Sequence, residues 1–131
     1  MNDSHPEIAE HASPFSFDIT LERLVDAIAM SRMTLFAKID HAANARSVGA
    51  TMPPTTVLIY GNAKGGTPIM LTTPKAALDL PLRVLVYEGS NGKTSIAFHP
   101  ITTQLGRVGV PTDAAARLEP AQRILLSAIS P

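Results

Sequence analysis

The stretch Leu82–Phe98 (LRVLVYEGSNGKTSIAF) decides the fold. Two runs rich in β-branched and aromatic residues, Leu82–Tyr87 and Lys93–Phe98, flank the pair Asn91-Gly92. Asn-Gly between two such runs is the strongest short-range signal of a β-hairpin, because both residues tolerate the positive φ angles of the tight turn. We therefore predict an antiparallel hairpin here, with a β-sheet built around it.

Three segments upstream of the hairpin predict further strands. Phe15–Ile19 alternates apolar and polar residues, which is the period of a half-buried strand, and Thr34–Asp40 follows as a second strand. Thr56–Tyr60 is a continuous apolar run after Pro53-Pro54. Such a run predicts a strand that is buried on both faces and therefore lies centrally in the sheet.

Helices are predicted between these strands. Thr20 is a candidate N-cap for a helix that ends near Ser31 or Arg32, because apolar residues then recur at helical spacing. His41–Val48 predicts a short helix that Gly49 stops. Pro74 predicts the start of another short helix, since proline is favoured at the first helical position.

The C-terminal region also predicts helix, beginning at Thr112, in which Pro120 either kinks the helix or opens a second one. Gly61–Thr73 is expected to be irregular. The predicted order is β-α-β-α-β-α-β-β-α, so we expect one compact α+β domain over residues 14–131. Its central sheet has about five strands, mostly antiparallel or mixed, packed with helices. The polar residues 1–13 are expected to form a disordered tail.

Length, charge and cysteine content exclude several classes of protein. The chain has 131 residues, the size of one domain, and its eleven basic residues balance eleven acidic ones, which argues against a nucleic-acid partner. The absence of cysteine excludes disulfides, a thiol nucleophile and cysteine-ligated zinc. No apolar run approaches the roughly 20 residues that span a bilayer, and the N-terminus lacks the pattern of a secretory signal. We therefore expect a cytoplasmic protein with no membrane partner.

The first candidate site is the glycine-rich segment after the third strand. A phosphate-binding loop needs lysine directly before the hydroxyl residue, whereas here Lys64 precedes Gly65 and Gly66, and Pro68 follows Thr67. A nucleotide site is therefore not expected. Two interpretations stay open: the amides of Gly65 and Gly66 form an anion-binding nest with Lys64 nearby, or the glycines only form a turn.

The second candidate is His41, which follows Asp40 at the end of the second strand. Adjacent strand residues point to opposite faces, so Asp40 is expected to cap the next helix rather than pair with His41. If the second and third strands are neighbours, His41 and Asn62 converge, and the ligand-binding pocket is formed by His41, Asn62, Lys64, Gly65, Gly66 and Thr67. The alternative is that His41 and Asn62 only satisfy backbone groups.

A metal centre would need His41 and His99 to converge with a carboxylate. The sequence has no paired-histidine spacing of the kind that binds zinc, so we expect no metal ligands and no cofactor.

Three blocks of sequence resemble the domain of unknown function 302 family: residues 36–45 (FAKIDHAANA), 54–70 (PTTVLIYGNAKGGTPIM) and 77–82 (ALDLPL). The resemblance runs from about Phe15 to the C-terminal helix. It implies a compact α+β domain that forms dimers and has no established activity. Typical members read Gly-Asn-Pro-Lys where this chain has alanine at position 63.

One branch of that family carries cysteine at the position of Gly61 and again after the pair Leu80-Pro81, and this chain has neither. The same branch tends to have aspartate where this chain has His99, and Arg-His near Arg107. The thiol chemistry or catalysis that those positions imply for that branch does not transfer to this chain.

Together these features predict a domain that binds a small polar or anionic ligand and forms a two-fold homodimer. The strand Lys93–Phe98 is a candidate edge that a second copy would cover. Two alternatives stay open: an enzyme that uses His41 as acid and base on an anionic substrate, and a structural or regulatory dimer without a ligand.

Overall fold

A computed structural model describes residues 7–131 of the chain. Its five strands are β1 (Ala9–Ala12), β2 (Thr34–Asp40), β3 (Thr55–Gly61), β4 (Leu82–Glu88) and β5 (Thr94–Phe98). They form a single sheet in the order β1-β5-β4-β3-β2, in which every neighbouring pair is antiparallel. The predicted α+β class, with a sheet of about five strands, is confirmed.

The helices are α1 (Phe17–Met30), α2 (His41–Ser47), α3 (Ala63–Thr72), α4 (Ile101–Gly106), α5 (Thr112–Ala116) and α6 (Pro120–Ala128), with a 3₁₀ helix at Pro74–Leu78. Pro74 stands at the first position of its helix, as predicted. Pro120 also stands at a first position, so of the two alternatives left open it opens a second helix rather than kinking one. Helix α4 was not predicted. Within residues 7–131, no helix has the length and apolar character needed to cross a membrane.

The β4–β5 hairpin matches the prediction in position and in the positive φ of Gly92, whereas Asn91 does not take a positive φ. Glu88 pairs with Thr94, and Gly92 adopts φ +77° in the turn. The side-chain oxygen of Asn91 accepts a hydrogen bond from the Lys93 amide at 2.9 Å. This local bond closes the turn and leaves the two strands in register.

The predicted first strand is wrong, because Phe15–Ile19 leads into α1. Ser16, not Thr20, is the N-cap, and its hydroxyl accepts a hydrogen bond from the Ile19 amide at 3.3 Å. Phe17 lies one helical turn before Leu21 and extends the apolar stripe backward, which favours helix over the short alternating pattern. Thr20 is fully buried instead.

The N-terminal segment contributes the missing strand. Ala9–Ala12, predicted to lie in a disordered tail, form β1 and pair with β5, with Ala9 opposite Phe98. The strand β5 is therefore not an edge, and the expectation that a second copy must cover it is wrong. The predicted tail also includes residues 1–6, which lie outside the described residues.

A hydrogen bond further fixes β1 to the sheet. The Tyr87 hydroxyl donates to the Glu10 carboxylate. This bond, together with partial burial and the nearby negative charge, raises the pKa of Tyr87, because each of them favours the neutral phenol.

The core lies between one face of the sheet and the helices. Leu58, Tyr60 and Val84 are fully buried on this face and belong to one cluster with Leu24 of α1 and Leu125 of α6. The Tyr60 hydroxyl donates a hydrogen bond of 2.9 Å to the Ala121 carbonyl oxygen at the start of α6. Burial raises the pKa of Tyr60, because the phenolate would be desolvated.

The opposite face of the sheet is less covered. Ile39, Val57, Ile59 and Leu85 point to it, as the register with β3 and β4 shows, and all four are partly exposed. Strand β3 does lie inside the sheet, as predicted. Its predicted burial on both faces is wrong within one copy of the chain, because Val57 and Ile59 keep solvent contact.

Candidate functional site

Helix α3 occupies most of the segment that was expected to be irregular. Its composition disfavours helix: two interior glycines each cost about 1 kcal/mol relative to alanine, and an interior proline costs about 3 kcal/mol. Two features compensate. Asn62 caps the helix, with its side-chain oxygen accepting a hydrogen bond from the Lys64 amide at 2.9 Å, and Ile69 is buried in the core. Capping and packing therefore override the local propensity.

The backbone amides of this segment are used inside the helix. The amides of Gly65 and Gly66 both donate to the Asn62 carbonyl oxygen, at 2.9 and 3.1 Å. Of the two interpretations left open, neither the anion-binding nest with Lys64 nearby nor the glycine turn is formed, because both glycines lie inside α3. They close the first turn of α3 and are not free to hold an anion.

His41 stands at the first position of α2 and is exposed. Asp40 is the N-cap of that helix, as predicted, and its carboxylate accepts a hydrogen bond from the Ala43 amide at 2.9 Å. Among residues 7–131, the side-chain hydrogen bonds include none made by the His41 ring. The structure therefore gives His41 neither an orienting partner nor an enclosed site.

The predicted convergence of His41 with Asn62 is wrong. Strands β2 and β3 are neighbours, as expected, but they are antiparallel: Thr34 pairs with Gly61, and Asp40 pairs with Thr56. His41 follows one end of this strand pair, and Asn62 follows the other. At about 3.4 Å per residue, these two pairs are roughly 17 Å apart along the sheet, and His41 and Asn62 lie beyond them.

Asn62, Gly66 and Thr67 instead line a groove between α3, the end of β3 and the segment before β4. The groove has a volume of about 160 Å³. The Leu80–Pro81 peptide bond, which is cis, forms part of one wall. The remaining lining is mostly apolar: Phe36, Gly61, Ala63, Met70, Leu82 and Leu118. Of the six predicted ligand-binding residues, three therefore meet at this groove.

Phe36 enters the groove through an irregularity in β2. The pairing with β3 shifts register between Leu35 and Ala37, so Phe36 is the extra residue of a β-bulge. Its side chain lines the groove and is 53% exposed, which is unusual for a phenylalanine. Sequence reasoning missed this residue, because a bulge leaves no clear mark in the alternation of a strand.

The polar groups of the groove lie at its rim. The side-chain oxygen of Asn62 accepts a hydrogen bond from the Lys64 backbone amide, so the side-chain nitrogen of Asn62 remains as a donor. Thr67 is exposed, and the side-chain hydrogen bonds of the described residues include none made by its hydroxyl. No lining residue of the groove is ionisable. The arrangement is therefore suited to holding a ligand and has no acid or base of its own.

The two histidines of the metal hypothesis do not meet. His99 follows β5, and two strands lie between β5 and β2, which leads into His41. With strand spacings of about 4.8 Å, the two residues are at least about 14 Å apart. Within the described range, no group of three or more His, Asp or Glu side chains is placed to hold a metal ion.

The fold is similar to that of a solved protein. A crystal structure of an uncharacterized conserved protein DUF302 from Bacillus stearothermophilus matches with a TM-score of 0.81 and 18% sequence identity. The match covers 94% of this chain and 95% of that chain. At this level of identity the similarity establishes the fold alone.

Two curated relatives share more of the sequence. Over 100 residues the chain is 32% identical to a protein of Brucella suis biovar 1 (strain 1330) named fluoride-specific ion channel FluC 1. It matches FluC 1 of Brucella abortus biovar 1 (strain 9-941) to the same extent. The aligned region is 75% of this chain in both cases, and 39% and 37% of the two relatives.

The family assignment follows from the length of chain that one family model covers. The model of the domain of unknown function DUF302 matches residues 9–128, from β1 to the end of α6. This range includes the three blocks of sequence on which the resemblance was based. The chain belongs to the DUF302 family.

Proposed function

We propose that this domain binds a small aromatic carboxylate in the groove formed by α3, Phe36 and Leu80–Leu82. The observation that carries the proposal is the combination of an apolar cavity with donors at one rim. Binding pockets for small molecules are typically lined by apolar side chains with a few polar groups that fix orientation.

The size of the groove limits the ligand. Its volume of about 160 Å³ is close to that of an engineered protein cavity of roughly 150 Å³ that binds benzene. One aromatic ring therefore fits against Phe36 and Met70.

Charge near the rim favours an anionic substituent. Lys64 is exposed in the first turn of α3, and the N-terminal end of a helix carries partial positive charge. Asn62 and Thr67 add an amide and a hydroxyl donor. A carboxylate on the ring would lie beside these groups, with the ring in the apolar part of the groove.

The proposal is tested by calorimetric titration with benzoate, benzyl alcohol and acetate. Benzoate is expected to bind most tightly, because it alone combines the ring with the charge. Acetate that binds as well as benzoate would show that the groove does not recognise the ring, and the proposal would be wrong. His41→Ala should bind benzoate normally, since His41 lies at the other end of β2.

We also propose that the domain is a two-fold homodimer in which a second copy covers the sheet face around Val57 and Leu85. Strand β3 is apolar from Val57 to Tyr60, yet only one of its faces is packed in the core. Ile8, which is 42% exposed, lies beside this face and extends its apolar surface. A self-complementary apolar face is what an isologous interface requires.

The area of this face fits a dimer. Five strands spaced by about 4.8 Å, with roughly 20 Å of length each, present a surface near 480 Å² before side-chain relief is counted. Typical interfaces bury about 800 Å² per partner, so the face with its rim is of the right order.

Light scattering tests the dimer. We expect twice the chain mass of 13.9 kDa, and Leu85→Lys should return the protein to the mass of one chain. The matched control is Leu78→Lys, because Leu78 is 78% exposed on the 3₁₀ helix and outside this face. A wild-type mass of one chain at micromolar concentration would exclude the dimer.

A regulatory role is a second candidate, and the named relatives favour it. Since the similar region is 39% of a protein named as a fluoride-specific ion channel, we propose that the domain can respond to fluoride. Thermal melts in sodium fluoride and in sodium chloride of equal ionic strength test this. A higher melting temperature in fluoride is expected, and equal melting temperatures would contradict the role.

A further inference from the structure

A second cleft, separate from the groove, lies between the N-terminal segment, the end of β5 and α4. Its volume is about 230 Å³, and it shares no lining residue with the groove. Its polar lining residues are Glu7, Asp79, His99, Thr103, Gln104 and Arg107. Ionisable side chains of both signs therefore face one cavity, whereas the groove has none.

The guanidinium of Arg107 already holds a carboxylate in this cleft. It forms an ion pair with the side chain of Glu7. The two side chains are 52% and 58% exposed, and ion pairs at such exposure are weak because water and salt screen them. A carboxylate thus fits beside Arg107, and one from solution can replace that of Glu7 at low cost.

Two other residues of the cleft offer hydrogen-bond acceptors. His99 Nδ1 lies 2.9 Å from the Glu7 carbonyl oxygen, which can only accept, so Nδ1 donates and the acceptor of this tautomer is Nε2. Gln104 Nε2 donates to one carboxylate oxygen of Asp79 at 3.1 Å and thereby orients that group. The second oxygen of Asp79 remains available to a donor.

We propose that this cleft binds a small zwitterion, such as an α-amino acid. Its carboxylate pairs with Arg107 in place of Glu7, and its ammonium group donates to Asp79 and to His99. Once Glu7 is displaced, the cleft presents one positive and one negative side chain, which complement the two charges of the ligand. A simple anion has no ammonium group to donate to Asp79, and a simple amine has no carboxylate to replace that of Glu7 at Arg107.

Calorimetric titrations with L-alanine, propionate and ethylamine test the assignment. Propionate is alanine without the ammonium group, and ethylamine is alanine without the carboxylate. We expect alanine to bind at least ten times more tightly than either. Propionate or ethylamine binding as tightly as alanine would overturn the zwitterion assignment, and so would the absence of alanine binding.

Three variants locate the binding in the cleft. Arg107→Gln and Asp79→Asn should each weaken alanine binding at least tenfold. Glu7→Gln should strengthen it about two- to fivefold, because the exposed ion pair that the ligand must replace is weak. The matched control Arg117→Gln removes an exposed arginine outside the cleft and should bind normally. Circular dichroism confirms that each variant is folded, and unchanged binding by folded Arg107→Gln would overturn the proposal.

Discussion

Replacing Gly66 by alanine should stabilise the domain while weakening the binding of benzoate. Gly66 lies inside α3 and lines the groove. A Cβ atom at this position would lie 3.6 Å from Leu80 Cδ1 and 3.8 Å from Met70 Cε, which are ordinary van der Waals distances. The methyl group therefore fits without displacing its neighbours, and it occupies space that the ligand needs.

The expected gain in stability has two parts. Alanine in a helix interior is favoured over glycine by about 0.5–1 kcal/mol. The added methyl group is also partly buried, and full burial of such a group contributes about 0.8 kcal/mol. We expect a rise of about 1 kcal/mol in the free energy of unfolding, which corresponds to roughly 3–5 °C in melting temperature for a domain of this size.

Urea denaturation measures the stability, and benzoate titration measures the binding. The matched control is Gly106→Ala in α4, where a Cβ would meet no atom within 4 Å. This control should gain helix stability and bind benzoate as the wild type does. Gly65→Ala should gain less, because its Cβ would lie only 3.0 Å from Leu118 Cδ2. If Gly66→Ala is destabilised, or binds benzoate with unchanged affinity, the reasoning about the groove is wrong.

Three further predictions concern the tyrosines and His41. At pH 10 the folded protein should show clearly less than half-ionised tyrosine by ultraviolet absorbance, whereas the guanidinium-unfolded protein should show about half, because the pKa values of Tyr60 and Tyr87 are both raised from 10.0. Because both tyrosine pKa values are higher in the folded than in the unfolded protein, the tyrosines' contribution to the free energy of unfolding is fully present below pH 10. It is lost as the pH rises from 10 through the folded pKa values, so the urea midpoint should fall in that pH window. Tyr60→Phe should lower the free energy of unfolding by about 1 kcal/mol through loss of the bond to Ala121, and an unchanged urea midpoint would contradict this. His41→Ala should leave stability within about 0.5 kcal/mol of wild type, as expected for an exposed side chain, and a larger loss would reveal a structural role.

The elements with strong local signals could be predicted from the sequence. The Asn91-Gly92 pair marks the hairpin turn, and the apolar run of β3, the Asp40 cap of α2 and Pro74 at the start of the 3₁₀ helix are equally local signals. The short strand β1 has no comparable signal, because three of its four residues are exposed and its pairing is provided by β5. The sequence did not predict helix α3, because Gly65, Gly66 and Pro68 disfavour helix. The Asn62 cap and the burial of Ile69 stabilise it, and both depend on the folded structure.

The candidate site depended on strand direction. The neighbouring positions of β2 and β3 could be predicted, since consecutive strands often pair. Their antiparallel direction could not, because His41–Pro54 is long enough for either connection. That direction separates His41 from Asn62, and the bulge at Phe36 and the turn to Leu80–Pro81 then bring other residues to Asn62. The resulting groove is formed by segments that are distant in sequence, so no sequence motif predicts it.

The most direct test of the binding groove is a titration of isotope-labelled protein with benzoate, followed by amide chemical shifts in NMR spectra. We expect saturable shifts confined to residues 61–67 and to Phe36, Met70, Leu80, Leu82 and Leu118, with His41 and His99 unaffected. Shifts that centre elsewhere, or that stay absent when benzoate is in large excess, would contradict the assignment of this groove as the ligand-binding site.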